Sequence, residues 1–208
     1  MYTFATRFLQ LILFLMNGRM KTVNKEKLPQ NDPFIVVCTH KSWIDVVCLG
    51  IALHPTPIHF MAKKELFDKI FIKKLLKKLN AFPVDRSNPG PSVLKIPLQL
   101  LKKKQVVGIF PSGTRNSEEK ALKNGTRNSE EKALKNGAIH IASRASVPII
   151  PTVYIGPHTI RDLLGRKKRF IIFGDAIHVP KMTKDKEAVT EATNEVISKV
   201  FEELKGNI

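Results

Sequence analysis

Acidic residues are scarce in this chain. Eighteen Asp and Glu face thirty-five Lys and Arg, a formal charge of +17 over 208 residues, so the surface it meets should be anionic: nucleic acid, anionic lipid or a phosphate ester. Cysteine is scarcer still. Cys38 and Cys48 are the only two, without the spacing of a zinc site or a disulfide framework, and read as buried thiols in a reducing compartment. Long hydrophobic runs are missing too. The run Phe8 to Met16 falls short of the roughly 20 apolar residues a membrane span needs, and no small-residue cleavage site follows it, which speaks against a signal peptide.

What is present suits one globular domain with short appendages, because 43% hydrophobic residues can build one core at this length. In the N-terminal segment Phe4, Phe8, Leu11 and Leu15 share a helical face, Arg7 and Gln10 lie off it, and Gly18 supplies a stop. A helix in the bilayer interface and a helix packed on the domain's own core both satisfy that pattern. The expected division is an interface helix over 1–20 and the main domain over 21–208.

From Phe34 onward short apolar runs alternate with helical patterns: 34–38, 58–62, 81–84, 106–110, 147–154 and 170–173. Strands of that length alternating with helices predict an α/β fold, a mostly parallel sheet flanked by helices. The stretch Lys63 to Leu79 reads as a basic amphipathic helix that could rest on anionic headgroups or simply be a solvated surface helix. Lys184 to Leu204 reads as a closing helix with Val189, Ala192, Val196, Val200 and Leu204 inward.

Gly113 to Asn124 recurs residue for residue as Gly125 to Asn136. Two copies of so short a unit are no solenoid. They read as a tandem duplication over 113–136 in a loop or helix start, where doubling a loop's length costs only about 0.6 kcal/mol of closure entropy.

The chemistry-bearing residues follow the first strand. His40 leaves it, and Asp45 stands five residues on, in the first turn of the next helix, where its carboxylate can fold back on the imidazole. Such a pair suits a general base acting on a substrate hydroxyl, since no serine or cysteine nucleophile motif accompanies it. The same residues, Ser42-x-x-Asp45, also match a capping box. Downstream, Phe82-Pro-Val-Asp-Arg86 and Phe110-Pro-Ser-Gly-Thr-Arg115 each place an arginine just past a strand end, where α/β sheets present ligands. Two guanidinium groups converging there would suit a phosphomonoester, with Gly113 allowing backbone amides close to an anion. Either arginine alone would pass for a surface charge.

In order and spacing, His40-x4-Asp45, Phe82 to Arg86, Phe110 to Arg115 and Val147-Pro-Ile-Ile-Pro151 resemble the four motif blocks of the 1-acylglycerol-3-phosphate acyltransferase family, over about residues 34–180. The resemblance implies a glycerolipid-acyltransferase-like fold with an N-terminal interfacial helix. It implies His40 as general base, Asp45 as its orienting partner, and Arg86 and Arg115 as phosphate ligands. Gly113 and Thr114 belong to the same binding block, and Lys63 matches the family's lysine. The acyl donor would be a thioester on coenzyme A or acyl carrier protein and the acceptor lysophosphatidic acid, with no metal or bound cofactor. The protein would sit peripherally on the cytoplasmic face of the cell membrane, against anionic lipids. Departures are Thr39 where the family commonly has asparagine, Ser112 where it commonly has glutamate, and the duplication, which repeats Gly113-Thr114-Arg115 as Gly125-Thr126-Arg127. Another lysolipid acceptor, an ornithine-type lipid among them, stays open. A basic module binding membranes or nucleic acid without turnover would explain the charge but not four ordered blocks, and no aromatic-rich nucleic-acid motif is present.

Overall fold

The computed structural model describes residues 2–85, 92–110, 127–165, 167–181 and 186–206. Its centre is set by Ile35–Cys38 (β2), three β-branched residues and a cysteine whose four side chains are all buried, as a strand covered on both faces requires. β2 sits between Val106–Ile109 (β5) and Ile149–Ile155 (β6). Beyond β5 lie Ile58–Lys63 (β3) and Phe82–Val84 (β4), and beyond β6 lie Phe170–Phe173 (β7) and Lys21–Val23 (β1). Every pairing is parallel except β6 with β7. β1 and β7 therefore run against the other five strands. Pro83 falls in β4, at the sheet's edge, where a missing N–H is tolerated.

Alternation along β2 divides two cores. Val36 and Cys38 face Trp43–Leu53 (α2) and Tyr2–Asn17 (α1). Ile35 and Val37 face the opposite layer, made by Ser92–Lys102 (α4), Arg127–Ala145 (α5) and Lys186–Gly206 (α7). Ile70–Lys78 (α3) and the short Ile160–Leu164 (α6) complete the helices of the described residues.

α1 packs on α2 and α6 by the stripe holding Thr6, Leu13 and Asn17, Asn17 donating to Leu163 O. Phe4, Phe8, Leu11 and Leu15, the apolar stripe read from the sequence, point outward, Phe4 at 78% and Leu15 at 74% exposure. The own-core alternative therefore does not hold for that stripe. Another expectation needs correcting: Lys63 to Leu79 is not one helix. Lys63 ends β3, Lys64–Phe67 is a single 3-10 turn and α3 starts at Ile70. None of α3's residues is buried, and Phe71 is 87% exposed. In α7 the inward stripe is Thr190, Thr193, Ile197, Phe201 and Leu204, while Val196 faces out. Bulky Ile197 and Phe201 decide the face, and Thr193 tolerates burial by donating its hydroxyl to Val189 O at 2.7 Å.

Candidate active site

β2 delivers its chain to the crevice between β5 and β6 at the C-terminal edge of the parallel strands, where α/β sheets bind ligands. Thr39 holds that exit: its N–H donates to Thr152 O at 3.2 Å and its hydroxyl accepts from the Tyr154 N–H at 3.4 Å. Ser42 then caps α2, its Oγ accepting the Ile44 N–H at 3.1 Å. That start puts Asp45 in the first turn with its carboxylate folded back. Oδ2 accepts from Lys41 N–H at 2.6 Å and Ser42 N–H at 3.0 Å. Oδ1 accepts from Val46 N–H at 2.9 Å and lies 3.1 Å from His40 Nδ1.

The capping box and the His–Asp pair, alternatives in the sequence, are both present on the two oxygens of one carboxylate. An acceptor-only carboxylate requires Nδ1 to carry the proton, so the lone pair sits on Nε2. Asp45 is 1% exposed and His40 11%, which leaves the carboxylate inside and the imidazole at the edge. Phe110, just past β5, lays its ring 4.6 Å from the imidazole, and Phe60 stacks behind Phe110 at 5.8 Å. An apolar wall results on the β5 side.

Cys38 and Cys48 are free and buried beneath the pair, as expected. Burial above all, with the Asp45 charge adding to it, pushes both thiols up, Cys48 to about 11. Neither is a nucleophile in that state. Among the described residues no group of His, Cys, Asp and Glu could hold a metal ion.

The other expected site residues divide. Lys63 reaches the same edge: Phe60 and Val36 both pair with Gly108, so Lys63 ends level with Thr39, two strands away. Its Nζ lies 3.3 Å from Glu65 Oε1 on an exposed surface, and no contact joins it to His40 or Asp45. Arg86, Gly113, Thr114 and Arg115 lie outside the described residues. The strands before them, β4 and β5, end at the edge where β2 ends. Arg127, from the second copy of the repeat, begins α5. Phe110 as the ring against His40 escaped the sequence reading, although the motif contained it. Arg169 escaped it entirely: it is 3% exposed and donates from Nη2 to Leu13 O at 3.0 Å and Gly18 O at 2.6 Å. A lone arginine some 150 residues from its acceptors leaves no local signal.

A base-activated hydroxyl attacking a carbonyl is acyl-transfer chemistry, and comparison with known proteins agrees on that class. A family model described as Acyltransferase matches residues 19–155, and the chain belongs to that family. More particularly, it is 43% identical to a 1-acyl-sn-glycerol-3-phosphate acyltransferase of Bacillus subtilis over 98% of both chains. It is 33% identical to the enzyme of that name from Streptococcus pneumoniae, over 98% of this chain and 72% of the relative. In fold it resembles the crystal structure of the 1-acyl-sn-glycerophosphate (LPA) acyltransferase PlsC of Thermotoga maritima. That likeness has a TM-score of 0.67 at 22% identity, covering all of this chain and 80% of the other.

Proposed function

We propose that the chain transfers a fatty acyl group from a thioester, on coenzyme A or acyl carrier protein, to the free hydroxyl of 1-acylglycerol 3-phosphate, giving phosphatidic acid for phospholipid synthesis. The observation that carries this reading is the 3.1 Å contact of His40 Nδ1 with buried Asp45. Relatives bearing that activity's name over nearly the whole length supply the substrate.

Arg86 and Arg115 grip the acceptor's phosphate, assisted by Lys63 and the Gly113-Thr114 backbone, and set the glycerol hydroxyl beside His40. Nε2 takes the hydroxyl proton as the oxygen attacks the thioester carbonyl. The new C–O bond forms, the C–S bond breaks, and the imidazolium returns the proton to the departing thiolate. Backbone amides near Ser112 and Gly113 steady the tetrahedral oxyanion, each worth roughly 3 kcal/mol. Retained turnover in Gly113→Pro would remove that assignment.

We place the reaction at a membrane surface. Exposed Phe4, Phe8, Leu11 and Leu15 on α1 and Ile70, Phe71 and Leu75 on α3 support this, as do the lysines of α3. No helix among the described residues is long and apolar enough to cross a membrane.

The test follows thiol release from acyl-coenzyme A or acyl carrier protein with lysophosphatidic acid, for the chain as written and for His40→Ala. Acceptor-dependent release that the substitution abolishes is expected. If neither protein releases thiol, the assay is repeated after deleting one 12-residue copy; continued silence refutes the reading. A panel of lysolipids then fixes the acceptor.

A further inference from the structure

A second cleft opens at the other end of α2. About 760 Å³ in volume, it lies between α1, β1 and the segment after it, and the last turn of α2. β1 runs against β2, so the cleft runs along the sheet: Lys25 lies towards the start of β2, while Arg19 and Arg169, which precede β1 and β7, lie at the edge where β2 ends. Ile51 and Ala52, in the last turn of α2, follow Asp45 by six and seven residues, about 9–11 Å along the helix. The cleft shares no lining residue with the site at His40.

Its lining is cationic, with Arg7, Arg19, Lys25 and Arg169 and no Asp or Glu among the lining residues. Arg169 uses Nη2 on Leu13 O near the end of α1 and on Gly18 O just past it, where a cation complements the helix dipole. Its buried Nε has no partner among the described residues, and neither does the buried Nε2 of His54 in the same wall. Lys25 donates to His54 O at 2.8 Å. Burial holds its ammonium below the usual range, as desolvation of a cation without a counter-ion does. Leu11 and Phe14 line the rim and are also exposed on α1, which joins the cationic floor to an apolar helix surface. That combination fits an anion attached to hydrocarbon better than a free ion.

We propose that this cleft binds the phosphate headgroup of an anionic membrane glycerophospholipid, distinct from the acylated substrate, and so fixes how α1 sits on the bilayer. The proposal rests on the membrane-surface reading of α1, and the two can fail separately.

The test is flotation of the full chain at physiological salt with phosphatidylcholine vesicles, alone or with phosphatidylglycerol. Three proteins are compared: wild type, Arg19→Gln with Lys25→Gln, and Lys199→Gln with Lys205→Gln, which makes the same charge change on α7 across the sheet. Near an anionic surface each cation counts, so the cleft pair should weaken binding to the phosphatidylglycerol vesicles about tenfold and the α7 pair less than about twofold. Binding to phosphatidylcholine alone reports α1 and should not change. Equal losses in both variants mean unspecific attraction by the net charge and overturn the proposal. If wild type floats with neither vesicle, the membrane reading of α1 fails. The cleft is then judged by melting temperature with soluble dihexanoyl phosphatidylglycerol against inorganic phosphate. A rise with the lipid that the cleft pair abolishes sustains the site. A rise with phosphate equal to that with lipid, or no rise with either, overturns it.

Discussion

Replacing Asp45 with asparagine separates chemistry from architecture. The carboxylate receives four contacts: Lys41 N–H at 2.6 Å and Ser42 N–H at 3.0 Å on Oδ2, Val46 N–H at 2.9 Å and His40 Nδ1 at 3.1 Å on Oδ1. An amide has one oxygen. If it stays on the Lys41 and Ser42 side, the NH2 meets the Val46 N–H and the imidazole. The Val46 N–H keeps its bond to the Ser42 carbonyl in the first turn of α2, so what is lost is one contact to a charged oxygen, about 1–2 kcal/mol, which for a chain of this length lowers the melting temperature by about 2–8 °C. The imidazole escapes the clash only by moving its proton to Nε2, and that tautomer cannot accept the substrate's proton. For a histidine base whose supporting carboxylate becomes an amide, the loss in kcat is about 10⁴-fold. The assay is thiol release under saturating acceptor, with melting measured in parallel. Because the two residues act as one unit, the double variant with His40→Ala should be no slower than His40→Ala alone. Turnover of Asp45→Asn within tenfold of wild type, or additive losses in the double variant, would refute the base-and-orienter assignment and leave Asp45 as a helix cap.

Three further outcomes are expected. Arg115→Ala should lower kcat/KM by about 100-fold, the worth of roughly 3 kcal/mol of charged hydrogen bonding to phosphate, and Arg127→Ala by only a fewfold; the reverse ranking would show that the second copy serves the site. Gly108→Ala should destabilise by about 1–3 kcal/mol, because its Cβ would fall 2.9 Å from both Ile58 Cδ1 and Phe60 Cδ1; an unchanged melting curve would show that the neighbours yield freely. Phe8→Glu with Leu15→Glu should abolish flotation with vesicles while leaving melting unaltered, since both side chains are mainly exposed; a fall in melting temperature would mean that the stripe packs on protein after all.

How far the sequence could be read follows from the forces that set each element. β2 and β5 were legible because burial on both faces demands an unbroken apolar run. β1 was not: Lys21-Thr22-Val23 is polar, three residues long and held as an edge strand by pairing with β7. α4 was hidden by Pro97 inside it, a residue that argues locally against a helix. Its apolar side chains pack on the second core and outweigh that preference. The break after Lys63 was missed because a lysine-rich apolar pattern continues smoothly from strand to helix, so periodicity marks no boundary there.

The His40–Asp45 pair was legible for a reason that also limited the reading. Four residues from Ser42 to Asp45 carry a capping signal common to many helices, and sequence alone offers capping and catalysis as rivals. In the fold the cap and the His–Asp contact share one carboxylate. Ser42 and Asp45 must cap α2 for the helix to begin where it does, and that start turns the Asp45 carboxylate back towards the strand exit that holds His40. Three backbone N–H groups then fix the carboxylate, so it meets the imidazole in one orientation without further side-chain support. Preorganisation of this kind comes from helix-terminus hydrogen bonding that any folded chain must satisfy. What the local sequence could not supply is the wall opposite: Phe110 reaches His40 only because β5 pairs with β2, a contact set by sheet topology rather than by spacing along the chain.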